Sequence, residues 1–123
     1  VIFHPPLPPV PDKTRQLYQS LSPTLLTSVE HCQRLCRQLE SGGGLRQELL
    51  FNAFESIAFE FFPGLDAWAG RLLAAGAETA HLAGSGPALY SPVKDREGGQ
   101  WVCERLKHEG LEAYLVETRP PVG

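Results

Sequence analysis

The spacing of apolar residues divides the chain into two parts with different predicted structure. Up to Gly76 the apolar positions recur mainly every three or four residues, which is the spacing of helices that bury one face. From Glu78 onward, short β-prone runs are separated by turn residues and by one further helical stretch. The predicted order is strand, several helices, two strands, helix and strand, which favours an α+β fold.

The first part opens with a β-prone run at residues 1–4. Five prolines between positions 5 and 11 then fix φ and remove backbone donors, so a stiff extended connection is expected. Asp12 is predicted to cap a short helix that ends near Ser20. This segment therefore leads from a strand into the helical region.

The clearest helical periodicity follows Ser22, a predicted N-cap, and ends at the glycines 42–44. Its apolar stripe consists of Leu25, Val29, Cys32, Cys36 and Leu39. We expect this stripe to face the core, which would make Cys32 and Cys36 small buried hydrophobic residues rather than metal ligands.

Asn52 and Glu55 open the next predicted helix. Their spacing is that of an N-cap residue followed, at the third helical position, by a carboxylate that reaches back to the cap amide. Helix capping is therefore the preferred interpretation of both residues. A second helix follows Pro63 and Gly64. The apolar faces predicted to pack inward are Phe54, Ile57, Ala58 and Phe61 in the first helix and Leu65, Trp68, Leu72 and Leu73 in the second.

The second part predicts a hairpin from the β-prone runs 79–83 and 88–93. Asp95 is expected to cap a final helix that reaches about His108, and residues 112–117 form the last predicted strand. The resulting prediction is a ferredoxin-like antiparallel sheet of about four strands with helices layered on one face.

Composition narrows the functional classes. The 11 basic and 14 acidic residues give a net charge of −3 and are scattered, so a nucleic-acid partner is not expected. No apolar stretch approaches the roughly 20 residues of a membrane span. The sequence also lacks the pattern of a secretory leader, and a cytoplasmic location is predicted.

The predicted organisation is one domain over residues 1–118 and a frayed tail over residues 119–123. The size of the chain suits a single core. The chain contains no methionine and starts within a predicted strand, so we expect it to be part of a longer protein.

The segment Gly84-Ser85-Gly86 is the sharpest candidate for chemistry. Two glycines around a hydroxyl residue permit positive φ, and the exposed N–H groups of such a loop can bind a phosphate oxygen. Pro87 removes one donor, and a strand rather than a helix is predicted to follow. Taken alone, the segment is better explained by a tight hairpin than by a phosphate site.

No catalytic residue and no metal site are predicted. The histidines do not have the spacing, relative to an acid and a nucleophile, of a triad or a zinc site. They lie at His4, His31, His81 and His108.

The chain nevertheless resembles the C-terminal half of kinases of the GHMP superfamily. The stretches that carry the resemblance are 10–14 leading to Tyr18, 52–55, 62–65, 72–77 and 81–89. The glycine-rich loop of that superfamily corresponds in place to Gly84-Ser85-Gly86-Pro87. The Asn-x-Phe-Glu start at Asn52 is similar to kinases that act on 4-diphosphocytidyl-2-C-methyl-D-erythritol rather than to homoserine kinases.

This resemblance implies ATP-dependent phosphorylation of a hydroxyl of that substrate, in non-mevalonate isoprenoid biosynthesis, with ATP and Mg²⁺ as partners. It implies that Gly84, Ser85 and Gly86 line a cleft and either touch phosphate or brace the main ATP loop. The superfamily's ATP loop and catalytic lysine and aspartate belong to an N-terminal domain that this chain lacks. We therefore expect the chain alone to be inactive and to hold no tightly bound cofactor.

Two alternatives remain open from the sequence. The first is a stand-alone ferredoxin-like module that binds a ligand or a protein. The second is another GHMP kinase, acting on homoserine or a mevalonate derivative.

Overall fold

The structure, a computed structural model, describes residues 1–21 and 30–120. Its strands are β1 (Ile2–His4), β2 (His81–Leu82), β3 (Leu89–Tyr90) and β4 (Glu112–Tyr114). Its helices are α1 (Lys13–Ser20), α2 (Glu30–Glu40), α3 (Glu55–Phe61), α4 (Leu65–Ala74) and α5 (Arg96–His108). A 3₁₀ turn, Gln47–Leu49, lies between α2 and α3.

The strands form one antiparallel sheet in the order β2-β3-β1-β4. β1 lies in the interior of the sheet, where Phe3 is opposite Leu89 on one side and Ala113 on the other. This order is that of a ferredoxin-like sheet, and the predicted α+β class is confirmed. The strands are shorter than the β-prone runs predicted for them.

The two faces of the sheet differ in burial. Phe3, Leu82, Leu89 and Ala113 share one face and are almost fully buried. Helical residues complete this core, the largest being Leu17, Leu65, Leu72, Val102 and Leu106. Each fully buried Leu or Phe side chain stabilises the fold by about 1.5–3 kcal/mol relative to an exposed one. The helices are therefore layered on one face of the sheet.

Several predicted helix signals are confirmed. The Asp95 Oδ1 atom accepts a hydrogen bond of 2.6 Å from the Gly98 amide, as expected of an N-cap. Gly76 follows the end of α4 with φ of 113°, a conformation that favours glycine. Val102, Cys103 and Leu106 are buried on α5.

The predicted burial of Cys32 and Cys36 is wrong, because both cysteines are exposed. The half-buried residues of α2 are His31, Leu35 and Gln38, and α2 packs against the 3₁₀ turn. The apolar stripe predicted the helical period correctly but assigned the wrong face of α2 to the core. Which face is covered depends on the element that packs against the helix, and the stripe does not identify that element. The predicted cap Ser22 and the stripe residues Leu25 and Val29 lie outside the described residues.

Two smaller expectations also fail. Asp12 occupies the N-cap position of α1, but its side chain makes no capping hydrogen bond and its backbone is left-handed, with φ of 54°. Leu73 is 45% exposed, whereas Ala69 on the same helix is buried. α4 therefore faces the core slightly differently from the predicted stripe.

Candidate functional site

The candidate site is the loop 83–88, which joins β2 to β3. The Gly86 amide donates to the Ala83 carbonyl at 2.9 Å, and the Ala83 amide donates to the Ala88 carbonyl at 2.9 Å. Gly84 and Gly86 have φ of 56° and 76°, in the left-handed region where side chains are strained. The predicted turn between two strands is thus confirmed.

The start of α1 reaches this loop. Lys13 Nζ donates to the Gly86 carbonyl oxygen and, at 3.4 Å, to Ser85 Oγ. Thr14 Oγ1 lies 3.4 Å from the same hydroxyl oxygen. A lysine ammonium has three N–H donors, so one remains for a further acceptor. These contacts place a cation and two hydroxyl groups at the edge of the loop.

Asn52 holds the loop from the other side. Its Nδ2 atom donates to the Leu82 carbonyl at 3.0 Å and to the Gly84 carbonyl at 2.7 Å, and its Oδ1 accepts from the Phe54 amide at 3.0 Å. The side chain therefore ties the entry to α3 to the glycine loop, across about thirty positions of sequence.

This arrangement corrects the predicted capping pair of Asn52 and Glu55. α3 begins at Glu55 with Phe54 at the N-cap position, so Glu55 is the first helical residue and not the third. Asn52 instead caps a turn that precedes the helix. The local spacing matched a capping box, but the Asn52 amide group satisfies carbonyls that are distant in sequence.

We expect Asn52→Asp to lower the free energy of unfolding of the 123-residue chain by about 1–3 kcal/mol. The carboxylate keeps the acceptor for the Phe54 amide but faces the Leu82 and Gly84 carbonyl oxygens without a proton to donate. Urea titration followed by circular dichroism measures the change.

Asp95→Asn is the matched control, because it makes the reverse exchange of carboxylate and amide at a true N-cap, where Asn and Asp are nearly equivalent. Its expected change is within about 0.5 kcal/mol. An Asn52→Asp protein as stable as the Asp95→Asn protein would show that Asn52 acts only as a helix cap.

The loop offers a small set of donors to a ligand. Among the described residues, none accepts a hydrogen bond from the amides of Gly84 or Ser85. A Cβ atom at Gly84 would have no atom of the described residues within 4 Å, so the loop surface there is open toward them. Two amides, the Ser85 hydroxyl and the Lys13 ammonium form a donor set that suits a phosphate oxygen.

A second polar group lies on the face of β2 and β3 that is not packed by the core. His81 Nε2 and Thr79 Oγ1 each lie 2.9 Å from Gln47 Oε1, and the His81 ring is 5.3 Å from the ring of Tyr90. Burial, and then the charge of Glu55, raise the pKa of the Tyr90 hydroxyl. This group braces the strands that carry the loop.

No independent signal in the sequence marks the roles of Lys13 and Thr14 at the loop. They are separated from Ser85 by more than seventy positions, and only the resemblance of residues 10–14 marked the segment. In the described part of the chain, no group of three or more side chains could hold a metal ion. No helix there has the length and apolar character to cross a membrane.

The chain is similar in sequence to proteins of one name from two organisms. The chain is 39% identical over 122 residues to "4-diphosphocytidyl-2-C-methyl-D-erythritol kinase" of Dehalococcoides mccartyi (strain CBDB1), covering 99% of this chain and 43% of the relative. It is 27% identical over 115 residues to the kinase of the same name from Pelotomaculum thermopropionicum, covering 93% of this chain and 40% of the relative. No family profile matches.

A solved structure shares the fold. The "crystal structure of 4-(cytidine 5'-diphospho)-2C-methyl-D-erythritol kinase" has a TM-score of 0.63 and 26% sequence identity, and the match covers 87% of this chain and 38% of that chain. The chain thus spans less than half the length of the relatives it matches.

Proposed function

We propose, from the relation of this chain to the 4-diphosphocytidyl-2-C-methyl-D-erythritol kinases over nearly its whole length, that it is the C-terminal domain of such a kinase. The observation that carries the proposal is the 39% identity over 122 residues. The ferredoxin-like sheet and the glycine loop between β2 and β3 support it, because they occur where the resemblance to GHMP kinases requires them.

The proposed reaction transfers the γ-phosphoryl group of ATP to a hydroxyl of 4-diphosphocytidyl-2-C-methyl-D-erythritol. The hydroxyl oxygen forms a bond to the γ-phosphorus, the bond from that phosphorus to the β-γ bridging oxygen breaks, and ADP leaves. The hydroxyl proton is lost to a base. Catalysis of this reaction depends on positioning and on stabilisation of phosphate charge rather than on covalent chemistry.

The loop is proposed to contribute donors to the phosphate side of the cleft. The donors that support this role are the free amides of Gly84 and Ser85 and the third N–H of Lys13. They are proposed either to bind a phosphate oxygen of ATP directly or to brace the main ATP loop that binds it. Gly86 instead shapes the turn, since its own amide is bonded to Ala83. We assign no catalytic residue to this chain.

Mg²⁺ supplies charge neutralisation at the phosphates in kinases of this kind. The donor set at the loop does not fit the metal, because amides, a hydroxyl and an ammonium group are no substitute for the carboxylate and oxygen ligands that Mg²⁺ requires. The ligands of the metal are therefore proposed to lie in the remainder of the full protein. We also propose a cytoplasmic location, where ATP and nucleotide-linked substrates occur together.

The substrate assignment is tested with the full gene product, ATP and Mg²⁺. ADP release is measured with 4-diphosphocytidyl-2-C-methyl-D-erythritol, homoserine and mevalonate offered separately. We expect turnover on the first alcohol and none on the other two. Turnover on another alcohol would move the assignment within the superfamily, and no turnover on any of them would favour a binding module.

A further inference from the structure

An open pocket lies between α2 and the 3₁₀ turn, apart from the residues of the glycine loop. Its volume is about 380 Å³, and it is lined by Arg34, Arg37, Gln38, Ser41, Arg46 and Leu49. We call it the arginine pocket. Arg34, Arg37 and Gln38 lie on α2 at spacings of three and one, so they share one helical face, and Ser41 follows the end of the helix.

The charge of the arginine pocket is strongly positive. Three guanidinium groups line it, and the acidic side chain next to them is Glu48, whose Oε1 accepts from Arg46 Nε at 2.6 Å. Glu40, at the C-terminal end of α2, is not among the lining residues. Glu48 neutralises one of the three charges, and the positive charge that remains favours an anion in the pocket.

The wall opposite α2 is held in place by contacts to the sheet. Gln47, next to Arg46, accepts one hydrogen bond from Thr79, and His81 Nε2 lies 2.9 Å from the same Gln47 oxygen. Leu49, at the end of the turn, is buried. The glycine-bearing turn after α2 is closed by bonds from Ser41 Oγ and the Gly43 amide to the Gln38 carbonyl. Arg46 is thus presented by an ordered segment.

We propose that the arginine pocket binds an anion that carries a diphosphate group. Guanidinium groups form paired, charge-assisted hydrogen bonds with phosphate oxygens, and three of them match the several charges of a diphosphate better than those of a single carboxylate. The volume lies in the range of small-molecule sites. The inference rests on α2 and the 3₁₀ turn and is independent of the proposed kinase reaction.

The test titrates the 123-residue chain with inorganic diphosphate by calorimetry at constant ionic strength. We expect saturable binding, and we expect the double variant Arg34→Gln/Arg37→Gln to weaken it at least about tenfold, since two charge-assisted contacts are lost. Arg105→Gln removes the same type of charge from α5 and is expected to change the affinity less than about twofold.

A second variant keeps the test independent of folding defects. Glu48→Gln frees Arg46 from its carboxylate partner, so binding of diphosphate is expected to become about two to five times tighter. Loss of fold cannot produce tighter binding. An unchanged or weaker affinity in Glu48→Gln, or an effect of Arg105→Gln equal to that of the double variant, would overturn the proposal.

The source of the diphosphate is identified by comparing inorganic diphosphate, ADP and CDP, with sulfate at matched ionic strength as the reference anion. Tighter binding of a nucleotide assigns the pocket to nucleotides, and equal binding of all three assigns it to the diphosphate group alone. Sulfate binding as tight as that of diphosphate would contradict the inference.

Discussion

Replacing Gly86 with alanine is expected to lower the free energy of unfolding by about 2–5 kcal/mol. A Cβ atom at this position would lie 2.7 Å from Leu82 Cδ1 and 3.2 Å from Phe62 Cε2, and both neighbours are buried and cannot move aside freely. Overpacking of a core costs about 1–3 kcal/mol. The φ of 76° adds about 1–2 kcal/mol for a residue that has a side chain.

Gly84→Ala is the matched control for this prediction. Gly84 also has positive φ, at 56°, but a Cβ atom there would have no atom within 4 Å among residues 1–21 and 30–120. The expected loss is therefore only the cost of the left-handed backbone, about 1–2 kcal/mol. Urea titration of both variants measures the difference, and equal losses would show that contact with Leu82 and Phe62 does not matter.

The same pair of variants separates the structural use of the loop from its proposed use in binding. In the full gene product, Gly84→Ala is the variant that stays folded while a methyl group is placed on the open surface of the loop. A raised KM for ATP in this variant would support contact of the loop with phosphate. In Gly86→Ala, a change in the KM for ATP could not be separated from the effect of the lost stability.

Much of the fold could be predicted from the sequence because the signals are local. Asp95, Gly76 and the period of apolar residues in α5 each act within one or two helical turns, and the structure agrees with all three. The hairpin signal was equally local, since Gly84 and Gly86 occupy the left-handed positions of the turn. The antiparallel α+β class followed from the order of these elements.

The failures have a common cause, which is that they depend on partners distant in sequence. Cys32 and Cys36 lie on an apolar stripe of α2, yet both are exposed, because α2 packs against the 3₁₀ turn with a different face. Asn52 matched a capping box, yet its amide group bonds the Leu82 and Gly84 carbonyls. No local pattern contains that information.

The candidate site, too, could be predicted from the sequence only in part. The sequence identified Gly84, Ser85 and Gly86 as one unit, whereas their environments separate them into an open position, a hydroxyl at the loop edge and a packed position. Lys13 was found only because the structure brings α1 to the loop. Whether the loop contacts phosphate remains a prediction that the variants above test.

The 123-residue chain on its own is expected to show no phosphoryl transfer. The described residues supply one glycine loop and one lysine near it, and no cluster of side chains among them could hold a metal ion. Phosphoryl transfer requires both positioned phosphates and neutralisation of their charge. The chain spans 43% of the length of the relatives, so the missing groups are proposed to lie in the rest of the protein.

The most direct measurement of the central claim is transfer of labelled γ-phosphate from ATP to 4-diphosphocytidyl-2-C-methyl-D-erythritol in the presence of Mg²⁺. The full gene product and the 123-residue chain are compared at equal molar concentration. We expect labelled product with the full protein and only background with the chain. Labelled product from the chain alone, or none from the full protein, would contradict the account.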